Sequence, residues 1–169
     1  MINLWRPQME AMLVHPFVAQ FPTAGSYPAT TNFFQRVKAD FPRFRQEGIY
    51  QQVEQPAMYV YEIQRLHGQP MRGLLAGVPV REYLEERVRK HENTLMAKEE
   101  TQMELLQSRQ ASVKPVLLAH RPHQGLTDLL QSYCARSEPS QEIRIEDTGE
   151  VHRLWQIRET EELTLIQRF

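Results

Sequence analysis

Prolines near the amino terminus exclude a long helix from the first part of the chain. Four of the eleven prolines fall within the first 28 residues: Pro7, Pro16, Pro22 and Pro28. Each proline fixes φ and removes a backbone N–H donor, so a regular helix cannot run through this segment. We therefore predict an extended, proline-rich segment over residues 1–30, with one short strand from Val14 to Ala19.

The pattern changes to helical from Thr31. Phe33, Phe34 and Val37 supply an apolar helix face. Thr31 or Asn32 is a suitable N-cap for that helix. Pro42 is expected to interrupt the helix or to begin a second one. Gly48 is expected to end the helical region in the left-handed conformation.

Several runs of β-forming residues predict strands. Residues 58–64 and 72–78 are separated by a turn that contains glycine and proline, which predicts a hairpin. The continuous apolar run within 113–120 is typical of a central strand that is covered on both faces. Alternation around Ile143 and a further run at 151–157 predict the last two strands.

The remaining apolar periodicity predicts helices at 80–90, 94–110, 126–137 and 159–169. In the second of these, Met96, Met103 and Leu106 are expected to form a buried stripe. The elements together predict a single α/β domain over residues 31–169, of the mixed α+β class. We expect about five strands in a mixed sheet, with about five helices packed on it.

Composition limits the partners and the cellular location that are expected for this chain. A formal net charge of −1 argues against a general nucleic-acid binder, which carries a basic excess or a basic face. The single cysteine, Cys134, excludes an intramolecular disulfide and disfavours a structural zinc site, so a reducing cytoplasm is the expected location. No run approaches the ~20 apolar residues that cross a bilayer, and nothing resembles a signal peptide, so no membrane association is expected.

Side chains suited to acid–base chemistry and anion binding are concentrated between positions 90 and 100. The catalytic candidates are His91, Glu92 and Glu99, and the ligand-binding candidates are Lys90, Thr94 and Lys98. On a helix, His91, Thr94 and Lys98 share one face. A carboxylate here can act as a general base, and the ammonium groups can neutralise a phosphate. The alternative is a solvated helix junction with charge pairs four residues apart.

His152 is a further ligand-binding candidate. A strand at 151–157 places it on the opposite face from Trp155, which is expected in the core. His120 and His123 lack the additional ligands that a metal site needs, so no metal site is predicted. The chain has no P-loop and no dinucleotide-binding or hydrolase motif, so the sequence identifies no cofactor.

Several short motifs occur in the order found in the bacterial domain of unknown function 1015 (DUF1015) family. They are Pro16-Phe17, the hairpin at 58–61 and 72–74, Val80-Arg81-Glu82-Tyr83, Lys90-His91-Glu92-Asn93-Thr94, Lys98-Glu99, Lys114-Pro115-Val116-Leu117 and Gly149-x-x-His152-x-x-Trp155. The chain resembles this family over residues 33–169. It departs from the family pattern at Thr101 and Gln102, where family members carry an aspartate-arginine pair.

The resemblance implies the N-terminal part of a longer protein. Family members continue beyond the position of Phe169 to a motif that contains Gly-His-His-Arg, so we expect this chain to be a shortened relative that lacks it. That motif is reminiscent of ParB-like nucleotide-dependent proteins, some of which phosphorylate serine. One reading is therefore a protein without independent catalytic activity. The alternative is a residual nucleotide-dependent phosphotransferase, or half-enzyme, that acts on a hydroxylated metabolite.

The terminal helix has more apolar side chains than one sheet face is expected to cover. They are Leu163, Leu165, Ile166 and Phe169. Burying a Leu or Phe side chain is worth ~1.5–3 kcal/mol relative to exposure. We therefore expect self-association, or a partner chain, through a surface that includes Phe169.

Overall fold

The computed structural model describes residues 12–23, 25–90 and 96–169. Six strands and five helices lie within these residues. Their bounds are β1 Gln20–Pro22, α1 Thr31–Gln46, β2 Tyr50–Gln52, β3 Met58–Gln64, β4 Met71–Leu75, α2 Val80–Leu84, α3 Met96–Arg109, α4 Gln124–Arg136, β5 Gln141–Arg144, β6 Val151–Ile157 and α5 Thr160–Ile166. The fold class is mixed α/β, as predicted, with a strand count slightly above the expected number.

The first helix begins at Thr31, and its N-cap is one residue before the predicted candidates Thr31 and Asn32. The hydroxyl of Thr30 accepts a hydrogen bond from the backbone N–H of Phe33 at 3.2 Å, which makes Thr30 the N-cap. The backbone N–H of Thr31 donates to the carboxylate of Asp147 at 3.1 Å. This second contact ties the start of α1 to the turn between β5 and β6.

Pro42 lies inside α1, and the prediction that it interrupts the helix is wrong. Phe41 and Phe44 flank it and are both buried in one apolar cluster with residues from the first half of the helix. Because the two halves share this cluster, packing offsets the hydrogen bond that proline cannot donate. Gly48 follows the helix with φ of +73°, which confirms its predicted left-handed conformation.

The central sheet has the strand order β4-β3-β6-β5, and β1 and β2 form a separate two-stranded sheet. The hairpin predicted from residues 58–64 and 72–78 is confirmed as β3 and β4. β5 and β6 form a second hairpin, and β3 joins the two hairpins by pairing with β6. All of these described pairs are antiparallel, which differs from the mixed sheet that we expected. Two hairpins placed side by side need no crossover connection, and parallel pairing requires one.

Both faces of the central sheet are covered. On one face, Met58, Val60, Trp155 and Ile157 pack beneath α4 and α5. On the other face, Tyr59 and Leu154 are covered by the N-terminal segment, which contributes Phe17, Ala19 and Phe21. In the described part of that segment, isolated bridges join His15 to Gly77 and Phe17 to Ala57. Its strand, β1, begins after the predicted range.

The predicted strand at 113–120 is not formed. Val116 and Leu117 are 83% and 93% exposed, in irregular chain between α3 and α4. The central places of the sheet are taken by β3 and β6, each of which is already paired on both sides. Pro115 directly precedes the apolar run and has no N–H to donate to a ladder.

Two predicted helices also differ from the structure. α2 ends at Leu84, several residues before the predicted end. In α3, the expected buried stripe of Met96, Met103 and Leu106 is exposed. The buried residue of α3 is instead Arg109, close to where the following chain packs on α1. The last turn of α3 is therefore packed against the rest of the fold.

Candidate functional site

The structure describes four of the seven residues that were predicted to form a site. His91, Glu92 and Thr94 lie outside the described residues, so their predicted roles stay predictions. The other four are described: Lys90 follows α2, Lys98 and Glu99 are near the start of α3, and His152 is in β6.

Lys90 lies against an aromatic ring. Its Nζ atom is 5.0 Å from the centre of the Tyr83 ring, within the range of cation–π attraction. Tyr83 is the main cause of a raised pKa at Lys90, and the carboxylate of Glu99 raises that pKa further. Lys90 and Glu99, which precede and follow residues 91–95 in sequence, therefore interact electrostatically. Lys98 and Glu99 are both exposed on α3.

His152 is held by a phenol from the neighbouring strand. Its Nδ1 atom is 2.6 Å from the Tyr61 hydroxyl oxygen, and its Nε2 atom is 3.8 Å from Oε2 of Glu150. Ile63 is directly opposite His152 in the register, so Tyr61 is its diagonal neighbour on the same face. We call Tyr61, His152 and Glu150 the histidine cluster.

Burial keeps the Tyr61–His152 pair neutral. It lowers the pKa of His152 by more than the nearby Glu150 raises it. It also raises the pKa of Tyr61, and Glu150 adds to that rise. In the neutral tautomer that carries its proton on Nε2, the nitrogen nearer Glu150, the Tyr61 hydroxyl can donate to Nδ1. The contact between Tyr61 and His152 can pass a proton between phenol and imidazole, whereas the 3.8 Å separation from Glu150 is longer than a hydrogen bond.

A row of alternating charges crosses the opposite face of the sheet. Glu62 accepts hydrogen bonds at 3.1 Å from Nε of Arg72 and from Nη1 of Arg153. Nε of Arg153 also donates to Glu142 at 2.7 Å. The register places these residues directly opposite one another on the four strands. We call Arg72, Glu62, Arg153 and Glu142 the charge row. Since its carboxylates are all engaged by guanidinium groups, the row is structural.

Glu82, in the motif that precedes Lys90, is also used structurally. Its carboxylate accepts from Nε of Arg87 at 2.5 Å and from Nη2 of the same residue at 3.1 Å. Arg87 is the main cause of a lowered pKa at Glu82, and Arg81 contributes as well. The contact closes the turn after α2, where Glu86 has a φ of +59°.

A search of residues 12–23, 25–90 and 96–169 finds no group of three or more His, Cys, Asp or Glu side chains that could hold a metal ion. None of the helices in these ranges is long and apolar enough to span a membrane.

Comparison with known families settles the relationship that the sequence motifs suggested. The family model described as "Protein of unknown function (DUF1015)" matches residues 20–169. The chain belongs to the DUF1015 family. The resemblance drawn from the motifs is thereby confirmed. No curated protein and no solved structure matches the chain.

The glycine-histidine-tryptophan motif of this DUF1015 chain has three separate tasks. Gly149 has a φ of +70° and forms the turn that enters β6. His152 belongs to the histidine cluster on one face of the sheet. Trp155 lies on the other face in the apolar core, as predicted, and its indole N–H donates to the carbonyl of Ser137 at 2.9 Å.

Sequence reasoning found His152 but missed its partners. Tyr61 is far from His152 in the chain, and only the pairing of β3 with β6 brings them together. Glu150 carried a usable signal, because it is two residues before His152 and residues at that spacing share a strand face.

Proposed function

We propose that this DUF1015 chain has no independent catalytic activity and that it acts as a structural scaffold. The observation that carries the proposal is the separation of the histidine cluster from the predicted phosphate-binding lysines. His152 is opposite Ile63, whereas β4 ends at Leu75, level with Gln156. Four strand residues span about 13 Å. The chain therefore leaves for α2 and Lys90 from the end of the sheet that is remote from His152.

The charges near the histidine cluster support the same proposal. Arg65 is the cation that reaches this group, and its Nε is 3.3 Å from Oε1 of Glu150. An arginine engaged by a carboxylate is poorly suited to neutralise a transferred phosphoryl group. Among the residues that the structure describes, the cluster thus has an acid–base pair and no cation beside it that is free of a carboxylate.

Turnover measurements test the proposal. The chain is incubated with ATP or ADP, magnesium and a panel of small hydroxylated metabolites, and phosphorylated products are measured by mass spectrometry. We expect no product above that of a heat-denatured control. Product formation that disappears in His91→Ala or in His152→Gln would overturn the proposal.

A residual nucleotide-dependent phosphotransferase, or half-enzyme, is the second candidate. The observation in its favour is that the Glu99 carboxylate raises the pKa of Lys90, since these two residues bracket His91, Glu92 and Thr94 in sequence. In this reading Glu92 or Glu99 acts as general base on a substrate hydroxyl. Lys98 neutralises phosphate, and His152 completes the site.

Calorimetric titration separates the two candidates. ATP and ADP are titrated with and without magnesium into the wild-type chain and into Lys98→Gln. If the chain is a phosphotransferase, nucleotide binding should give a saturable heat, and Lys98→Gln should weaken that binding. Absence of heat at millimolar nucleotide would show that the chain does not bind the nucleotide that a phosphotransferase requires.

We also propose a cytoplasmic location, on the ground of the single cysteine.

A further inference from the structure

An open cleft separates the middle of α1 from the last turns of α3. Its volume is about 400 Å³, within the range of small-molecule sites. The two helices contribute polar groups to it, namely Gln35 and Lys38 from α1 and Ser108 and Arg109 from α3. Pro42 and Leu105 supply apolar surface. None of these residues belongs to the histidine cluster or to the charge row.

Arg109 is a covered cation without a counter-ion. It is 8% exposed, so more than nine-tenths of it is removed from water. Among the residues that the structure describes, no carboxylate or hydrogen-bond acceptor contacts its guanidinium or the ammonium of Lys38. No described side-chain nitrogen is both unbonded and fully shielded, so the guanidinium keeps its remaining exposure at its nitrogens.

An unpaired guanidinium in such a position opposes folding, because buried charges are normally paired. Asp40, the acidic residue nearest to Lys38 in sequence, does not neutralise the charge of Arg109 or Lys38. Asp40 pairs with Nη2 of Arg36 at 3.0 Å and with Nη2 of Arg43 at 3.1 Å. The cleft therefore combines two positive charges with no negative one among the described residues that line it.

We propose that this cleft binds a small organic phosphate monoester. A phosphate monoester carries up to two negative charges, which matches the two cations. A guanidinium offers the planar pair of donors that a phosphate group accepts in bidentate fashion, and an ammonium adds a point charge. The Gln35 amide can donate to a remaining oxygen, whereas the Ser108 hydroxyl already donates to the carbonyl of Leu105 at 3.2 Å. Pro42 and Leu105 cover the organic part. This inference is independent of the proposed scaffold role.

Thermal unfolding of the full chain tests the proposal, with inorganic phosphate, phenyl phosphate and benzoate as probes at constant ionic strength. A ligand that binds the folded state raises the unfolding temperature in a saturable way. We expect phenyl phosphate to bind more tightly than inorganic phosphate, and both to bind more tightly than benzoate. Arg109→Met keeps the aliphatic stem and should weaken phosphate binding by about 10-fold or more. Lys38→Met should weaken it by a smaller factor.

Arg109→Met also distinguishes anion binding by Arg109 from a purely structural role of that side chain. Without added anion, this variant should unfold at the same temperature as the wild type or at a higher one, because it removes an unpaired buried charge. With saturating phenyl phosphate the order should reverse. The matched control is Arg121→Gln, an exposed cation outside the cleft, which should bind like the wild type.

Several results would overturn the proposal. They are an absence of a saturable shift in the wild type, equal binding by Arg109→Met, and binding of benzoate as tight as that of phenyl phosphate. If Arg109→Met does not fold, Arg109→Lys replaces it, since it keeps the charge and loses the bidentate fork. Wild-type affinity in a folded Arg109→Lys protein would exclude bidentate recognition and so reject the site as proposed.

Discussion

Replacing Glu62 by Gln removes the central negative charge of the charge row. The Glu62 side chain is 6% exposed, and two guanidinium groups donate to it. A neutral amide keeps the shape but leaves Arg72 without a carboxylate partner and Arg153 with Glu142 alone. Removing one partner of a buried ion pair costs about 3–5 kcal/mol. Because each arginine side chain is still 30% exposed, water screens part of this loss. We expect Glu62→Gln to lower the free energy of unfolding by about 2–3 kcal/mol.

Urea denaturation followed by circular dichroism measures this change. The matched control is Glu142→Gln at the end of the same row, whose side chain is 50% exposed. An exposed pair contributes about 0–1 kcal/mol, so this control should change the free energy of unfolding little. Equal losses in the two variants would refute the argument from burial. In a thermal melt, Glu62→Gln should lower the midpoint by about 4–12 °C, since 1 kcal/mol corresponds to about 2–4 °C at this chain length.

Other predictions concern the histidine cluster, the exposed apolar run and the carboxyl terminus. The pKa of His152 is lowered by burial, so its contribution to stability is complete above about pH 6.5 and is lost as pH falls through the lower folded pKa. The difference in urea midpoint between wild type and His152→Gln should therefore shrink from pH 7.5 to pH 5, and a constant or growing difference would contradict this. Leu117→Ser should change the free energy of unfolding by under about 0.5 kcal/mol, against about 2–5 kcal/mol for Leu130→Ala in the core; similar losses would show that Leu117 is covered. Phe169 is 41% exposed, and we expect the wild type to self-associate in sedimentation at micromolar concentration and Phe169→Asp to be monomeric. A monomeric wild type would contradict self-association. A partner chain would then be sought by co-purification.

Elements whose conformation depends on residues close in sequence could be predicted. The hairpin of β3 and β4 follows from two β-forming runs and a short turn in which Gly68 has a φ of +105°. Gly48 could be placed for the same reason, since a left-handed helix end favours glycine. Trp155 could be assigned to the core because strand alternation fixes its face once the strand is located.

Elements set by distant contacts were not predictable from local pattern. The local pattern of an apolar run such as 116–118 is compatible with either a buried strand or exposed chain. The run is not a central strand here because β3 and β6 occupy the central positions of the sheet. The continuity of α1 through Pro42 depends on burial of the flanking phenylalanines, which a propensity argument omits. The unpaired state of Arg109 likewise depends on which carboxylates the fold brings near.

The charge row and the histidine cluster are linked through strand register. Side chains alternate along β3, so Tyr61 and Glu62 point to opposite faces, as do His152 and Arg153 along β6. A slip of one residue between these strands would move Arg153 to the face of Tyr61. A slip of two would place Glu62 opposite Val151 or Trp155 and leave its covered carboxylate without Arg153, which is costly. The pairing of Glu62 with Arg153 thus favours the one register in which Tyr61 meets His152. Glu62→Gln should for this reason loosen the histidine cluster as well, which would appear as a pKa of His152 that moves toward its ordinary value in an NMR titration.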